Sequence, residues 1–292
     1  MKIPTLLAPL ALAALLSACA TGPQTAPALQ IDTSYTSANQ DSRVQFLVLH
    51  YTVLDFDKSL KVLTTGGRVS SHYLVSDKPV RTYRLVDENR RAWHAGPSSW
   101  GSHANLNSAS IGIEIVHPGY TDTPQGRVYA PFPPAQVDEV IQLVRDIVAR
   151  HNIRPDRIIG HADIAPGRKQ DPGPSFPWKR LADAGLIPWP DAALLDYKRQ
   201  SWSLQPLPDA AWAQARLAQI DYAVPRSGTL DAATREVIST FQMKYRPADY
   251  RGELDVETVA LLDTVTTPGA MKLRTLPSDV ARTAAGANGS DY

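Results

Sequence analysis

Residues 160–174, read as GHADIAPGRKQDPGP, place His161, Asp163, Lys169 and Asp171 close together in a loop rich in proline and glycine. Imidazole and carboxylate are the usual donors to a catalytic zinc ion, which takes three protein ligands and keeps one position open. His161 and Asp171 supply two of the three if the chain between them curls back on itself. Asp163 is then left with a structural role in the loop. Lys169 can aim its charge at an oxyanion formed beside a metal, although a loop lysine taken alone is simply solvated. The third ligand must come from elsewhere, and in an open α/β sheet the carboxyl end of a neighbouring strand is the expected place. His50 meets that condition at the end of Val44-Gln45-Phe46-Leu47-Val48-Leu49-His50-Tyr51, the most hydrophobic strand of the folded region.

Glu114 is the second anomaly. In Ile111-Gly112-Ile113-Glu114-Ile115-Val116 the three isoleucines point to one face of a strand and Glu114 to the other. A carboxylate in such a strand costs folding energy unless it is paired or functional. Burial would raise its pKa toward the range of a general base; the alternative is an ion pair with an Arg or Lys across the sheet.

These residues need a scaffold, and the flanking sequence reads as an α/β fold with a mixed central sheet and helices packed on it. Val44–Tyr51 is an apolar run suited to a strand buried on both faces. His72–Val75 and Val80–Val86 flank a Ser-Asp-Lys-Pro turn, as in a hairpin. Pro133-Pro134 opens a helix whose Val137, Val140, Ile141, Val144 and Val148 share one face. Arg157–Gly160 is a short strand leading into the loop, and a helix over Trp178–Ala184 stops at Gly185. His72 falls near the site as a supporting residue, His103 and His117 fall in polar loops, and His151 lies near a helix C-terminus, where positive charge is favoured.

Beyond a proline-rich linker at 186–206, Gly228-Thr229-Leu230-Asp231 recurs as Gly252-Glu253-Leu254-Asp255. Each aspartate is placed to cap a helix, with Val237, Ile238 and Phe241, then Val259, Leu261 and Leu262, facing inward. A preceding helix over Asp209–Ile220 completes a small three-helix domain at 207–267. The tail at 268–292 reads as disordered.

The N-terminus has a different character. An apolar run after Lys2 is too short to span a bilayer and reads as a secretory signal over residues 1–19. Its closing Leu16-Ser17-Ala18-Cys19 resembles the lipobox of bacterial lipoproteins, which implies lipidation at Cys19; Ala20 in place of an aspartate favours the outer membrane by the same resemblance. Cys19 is the one cysteine of the chain, so no intramolecular disulfide is available. Residues 20–42 are rich in Ala, Thr, Pro, Ser and Gln and read as a flexible tether. The formal charge of +1 gives no electrostatic footprint for nucleic acid.

FLVLHYT, RVSSHYLV, RAWHAG, SIGIEIV and GHADIAPGRKQDPGPSFPW together resemble the zinc-dependent N-acetylmuramoyl-L-alanine amidases, relatives of phage lysozyme-type amidases and peptidoglycan recognition proteins. The resemblance covers residues 43–185. It implies a Zn2+ enzyme with His50, His161 and Asp171 as ligands, Glu114 as acid/base and Lys169 as transition-state stabiliser. It also implies Arg68, His94 and Asn107 as residues that line the substrate groove or support it. The 207–267 domain resembles the helical peptidoglycan-binding domain. The expected whole is a lipoprotein on the outer membrane, facing the periplasm, that acts on peptidoglycan and muropeptides. A non-catalytic muropeptide receptor, a zinc peptidase cutting within the stem, and an outer-membrane-to-wall tether are the competing readings. A peptidase lacks its H-E-x-x-H helix here, and a tether leaves Glu114 and the metal set unexplained.

Overall fold

The computed structural model describes residues 28–124 and 126–275. The signal, Cys19 and the first part of the tether lie outside them. Residues 28–40 belong to a first compact unit, are exposed, and form neither helix nor strand. Everything below concerns the second unit, which begins at Asp41. No helix among the described residues is long and apolar enough to cross a membrane.

The centre is a five-stranded sheet of order β3-β2-β6-β1-β9. Its strands are β1 (Phe46–Tyr51), β2 (Tyr73–Val75), β3 (Thr82–Arg84), β6 (Ser110–Ile115) and β9 (Ile158–Gly160). β1 runs parallel to both β6 and β9, β2 runs parallel to β6, and β3 closes the edge as the antiparallel arm of the expected hairpin. All six residues of β1 are buried, as its unbroken apolar run requires. α1 (Phe56–Thr65) follows β1. Two small hairpins, β4 (Ser99–Trp100) with β5 (His103–Ala104) and β7 (Tyr120–Thr123) with β8 (Gly126–Tyr129), stand outside the sheet.

One face of the sheet carries Leu47, Leu49, Ile111, Ile113 and Ile115. α2 (Pro134–His151) and α4 (Trp178–Asp183) cover it with Val137, Val140, Ile141, Val144, Trp178 and Leu181. Val148 is only partly buried at the rim of this core. His117 lies in a loop, between β6 and β7, as expected, but that loop is not a solvated one at this point. The imidazole is buried and stacked on Phe132 at 3.8 Å, because its two ring nitrogens are satisfied locally by the Gly119 N–H and the Ala130 carbonyl.

The other face carries Phe46, Val48 and Ile159, joined by Ile164 of α3 (His161–Ile164). This face shares an apolar cluster with Ala95, Trp100 and Leu106 and with the C-terminal domain. α6 (Ala210–Gln219), α7 (Ala232–Tyr245) and α8 (Val256–Val265) contribute Leu217, Val237, Ile238, Phe241, Leu261 and Leu262 to it, and α7 meets α3. The repeat behaves as its sequence predicts: Asp231 and Asp255 accept hydrogen bonds from the Thr234 and Thr258 amides at the starts of α7 and α8.

The segment expected to be an irregular linker is largely structured. β10 (Trp189–Pro190) and α5 (Ala192–Trp202) lie within 186–206, and α5 packs along α8. Lys198 and the Trp202 indole both reach Asp263. α5 has no fully buried residue, so its apolar periodicity is too weak to reveal a helix. β10 pairs with β11 (Met271–Lys272), which orders the beginning of the expected disordered tail; residues 276–292 lie outside the described set.

Candidate metal centre

β1 and β6 are in a register that sets His50 opposite Glu114, and Leu49 lies opposite Gly160 of β9. The parallel arrangement therefore brings His50, Glu114 and His161 together at the carboxyl ends of three adjacent strands. Asp171 joins them because the loop does curl back: the Ala162 N–H donates to the Asp171 carbonyl at 2.8 Å. His50 and His161 meet through their Nδ1 atoms at 2.9 Å, and each Nδ1 lies 3.0 Å from Asp171 Oδ2. All three side chains are buried, and their atoms form the potential metal-binding group of three.

The protons around this cluster can be followed one at a time. The Ser110 hydroxyl donates to the Leu106 carbonyl at 2.6 Å, so its oxygen is left to accept from His94 Nε2, 3.2 Å away. His94 Nδ1 is then an acceptor and takes the Nε2–H of His50 at 3.0 Å. His50 Nδ1 is therefore a bare lone pair. His161 Nε2 faces the Ala95 carbonyl at 3.0 Å, which can only accept, so a neutral His161 also turns a lone pair inward. Two lone pairs and a carboxylate oxygen thus converge within about 3 Å, an arrangement that repels itself unless a cation sits among them. Burial and the neighbouring His161 lower the His50 pKa to about 4, and burial holds His94 well below its ordinary value, so both rings stay neutral at pH 7. Burial raises the Asp171 pKa, and it falls below the usual carboxylate range only when a proton on the facing histidine nitrogens, or a cation in their place, offsets the carboxylate charge. The donor set fits a zinc-type ion.

Glu114 lies on the site's side of the sheet, and among the described residues the alternative of an ion pair across the sheet does not occur. Its Oε2 is enclosed and has no hydrogen-bond partner among them. Burial first, and the Asp171 charge second, push its pKa well above the ordinary value, with Lys169 opposing. Lys169, two residues before Asp171, contributes a positive charge that opposes the upward shift of Glu114 and adds to the downward shift of His50.

His94 and Asn107 support the site from behind. Asn107 Oδ1 accepts from the His94 and Ala95 amides at 3.0 and 2.8 Å, holding the loop that orients both metal-facing histidines. Arg68 stands exposed between α1 and β2, in a loop stitched to Trp93 through Ser70, and forms no hydrogen bond or ion pair with another described residue. His72 fills the expected supporting role, its Nδ1 accepting from the Gly112 amide.

Gly112 and Arg168, which the sequence reading does not single out, and Asp163, which it confines to its own loop, complete the site. Gly112 makes room for His94, because a Cβ there would lie 2.5 Å from its ring. A glycine inside an apolar strand is the signal for such a close approach. Arg168 donates to the Ala95 and Pro97 carbonyls at 2.8 and 2.6 Å and clamps the two loops together; nothing in its neighbourhood marks it. Asp163 does more than brace its own loop. It accepts from the Gly160 amide at 2.8 Å and from the Tyr222 hydroxyl at 2.6 Å, with the Lys244 ammonium 3.6 Å away. Burial, reinforced by the Asp163 charge, keeps the Tyr222 hydroxyl protonated and able to donate. The metal loop is thereby latched to the helical domain.

Residues 40–174 match the family model described as N-acetylmuramoyl-L-alanine amidase, and 207–262 match the putative peptidoglycan binding domain. N-acetylmuramoyl-L-alanine amidase AmiD of Escherichia coli is 42% identical over 240 residues, a span covering 80% of this chain and 86% of AmiD. The chain belongs to the N-acetylmuramoyl-L-alanine amidase family. Two solved structures extend the similarity to the fold. AMPDH3 from Pseudomonas aeruginosa, in complex with anhydromuramic pentapeptide, superposes with a TM-score of 0.74 at 41% identity, covering 81% of this chain and 97% of that one. AmiD from E. coli, in complex with the substrate anhydro-N-acetylmuramic acid-L-Ala-D-gamma-Glu-L-Lys, gives 0.74 at 39% identity, covering 84% and 97%. The chain is an amidase of this family, and the mixed sheet with its helical C-terminal domain is the fold those structures share with it.

The proton relay behind His50 has a measurable consequence. Ser110→Ala removes the acceptor that fixes His94 and frees the His50 ring to present a proton to the cluster. Zinc affinity, measured by competition with a chromophoric chelator, is expected to fall about 10- to 100-fold. An affinity equal to that of the unaltered chain would mean that the relay does not set the tautomer.

Proposed function

We propose that the protein hydrolyses the amide between the lactyl group of N-acetylmuramic acid and L-alanine of the stem peptide, with zinc held by His50, His161 and Asp171. The observation that carries this reading is the convergence of two histidine lone pairs and the Asp171 carboxylate beside the unpartnered Glu114 Oε2. His50, His161 and Asp171 would hold the zinc, which would supply Lewis acidity to the scissile carbonyl and to a neighbouring water. Glu114 accepts the proton as water attacks and returns it to the departing amine. Lys169 places its positive charge beside the oxyanion as it develops. His94, Asn107 and Arg168 hold the histidines in place while charge redistributes.

Muropeptides are the substrate class, by similarity to AmiD, whose complex carries anhydro-N-acetylmuramic acid linked to L-Ala-D-gamma-Glu-L-Lys. The helical domain adds peptidoglycan binding. Lipidation at Cys19 would hold the protein on the outer membrane facing the periplasm, where its polymeric substrate lies. Incubation of the purified protein with an anhydromuropeptide, followed by mass spectrometry, is expected to yield free stem peptide beginning with alanine. A chelator should abolish the reaction and added zinc restore it. Bound but intact muropeptide would indicate a receptor, and cleavage within the stem would indicate a peptidase; either result overturns the proposal.

A further inference from the structure

The metal loop has a second neighbour besides its own sheet. Gln170, between Lys169 and Asp171, accepts through Oε1 from Arg127 Nη1 at 2.7 Å and from the Tyr129 hydroxyl at 3.1 Å, both on β8. From there a groove opens between the β7–β8 hairpin and the helical domain, where Glu236 of α7, Tyr250 and Arg251 form the opposite wall. One wall thus lies within the segment matched by the amidase model and the other within the segment matched by the peptidoglycan-binding model.

The lining combines apolar ring surface with both signs of charge. Tyr129 and Tyr250 meet edge to face at 6.0 Å, and the Arg127 guanidinium lies 4.2 Å over the Tyr120 ring. Arg251 is exposed and pairs with Asp249, whereas Glu236 is exposed and forms no ion pair among the described residues. A stem peptide has the matching chemistry: carboxylates for the guanidinium groups, an ammonium on its diamino acid for Glu236, and methyl and methylene groups for the tyrosine rings. Because the helical domain shares its core with the sheet and is latched through Asp163, this groove is held at a fixed distance from the metal loop.

We propose that this groove is a second peptidoglycan subsite, which holds a neighbouring stem peptide of the polymer while the metal centre cleaves the first. The proposal rests on the amidase reading above. It predicts that the protein distinguishes polymer from monomer through Arg251 and Glu236, which lie outside the metal centre, since a single muropeptide has no neighbouring stem to offer the groove.

The test compares kcat/KM on purified sacculi with kcat/KM on a soluble monomeric anhydromuropeptide, for the unaltered full chain, Arg251→Glu and Glu236→Lys. Both positions are exposed, so the fold should tolerate charge reversal, and thermal unfolding checks that it does. The ratio of polymer to monomer activity is expected to fall about tenfold in each variant, the scale of a lost charged hydrogen bond. A ratio within about twofold of the unaltered chain for both variants, given active enzyme on both substrates, overturns the subsite and leaves the amidase reading intact. Failure of the unaltered chain to release stem peptide from either substrate overturns both.

Discussion

Glu114→Gln is expected to lower turnover of a muropeptide by about 100-fold or more while leaving zinc binding unchanged. The carboxamide keeps the shape of the side chain and can still hydrogen-bond, but it cannot take a proton from water, and general base catalysis is typically worth about 10²- to 10⁴-fold. Glu114 is not among the three converging donors, so stoichiometric zinc should be retained. Stability should move in the opposite direction to activity. Burial and Asp171 raise the Glu114 pKa in the folded state. Such a carboxyl favours the fold while it is protonated, below its unfolded pKa, and loses that contribution as pH rises through its folded value. A neutral glutamine escapes the loss, so at neutral pH the metal-free variant should unfold at a temperature equal to or above that of the unaltered chain. Kinetics on one defined muropeptide, metal content and a thermal scan decide the matter together. Turnover within about tenfold of the unaltered chain would place the base elsewhere, and a fall in unfolding temperature would make Glu114 a structural residue.

The sequence carries this site unusually far, for a physical reason. Ligands at the ends of apolar strands and a carboxylate inside one are costly to bury, so each is an exception to the local pattern and visible without coordinates. His50 and Glu114 could therefore be picked out, and the parallel register that sets them opposite each other turns two exceptions into one site. What stayed hidden are the residues whose role depends on contact across distant chain segments. Arg168 is an ordinary loop cation until the carbonyls of 95 and 97 meet it. Ser110 is an ordinary strand residue until His94 stands above it. The same limit explains α5. A helix that buries no residue fully leaves almost no apolar stripe to read, and its prolines at either end suggest a linker. Most hidden of all is the relation between the two domains. Periodicity shows that α7 and α8 each have an apolar face, but not that those faces join one cluster with Phe46 and Val48 of β1.

That shared core predicts the largest structural effect. A chain ending at residue 206 should fail to accumulate as a soluble, cooperatively folded amidase domain, even though it retains the whole metal centre. Phe46, Val48, Ile159 and Ile164 are almost completely buried in the intact protein, and all belong to the cluster completed by α6, α7 and α8. Burial of such a side chain is worth about 1.5–3 kcal/mol. Exposing even part of these four faces removes several kcal/mol from a total stability that is only about 5–15 kcal/mol for a typical domain. The Asp163 latch fails as well, since truncation removes Tyr222 and Lys244 and leaves the Gly160 amide as the carboxylate's remaining named partner in the loop beside His161. A detachable wall-binding module on a linker predicts the reverse, a soluble fragment with normal activity on small muropeptides and a loss confined to sacculi. Expression of residues 41–206, followed by size exclusion, dye binding to exposed apolar surface and thermal unfolding, separates the two. A monomeric fragment that unfolds cooperatively near the temperature of the full chain would refute the shared core as a requirement for folding. An aggregated or dye-binding fragment would mean that the helical domain is one half of the structure that holds the metal loop in place.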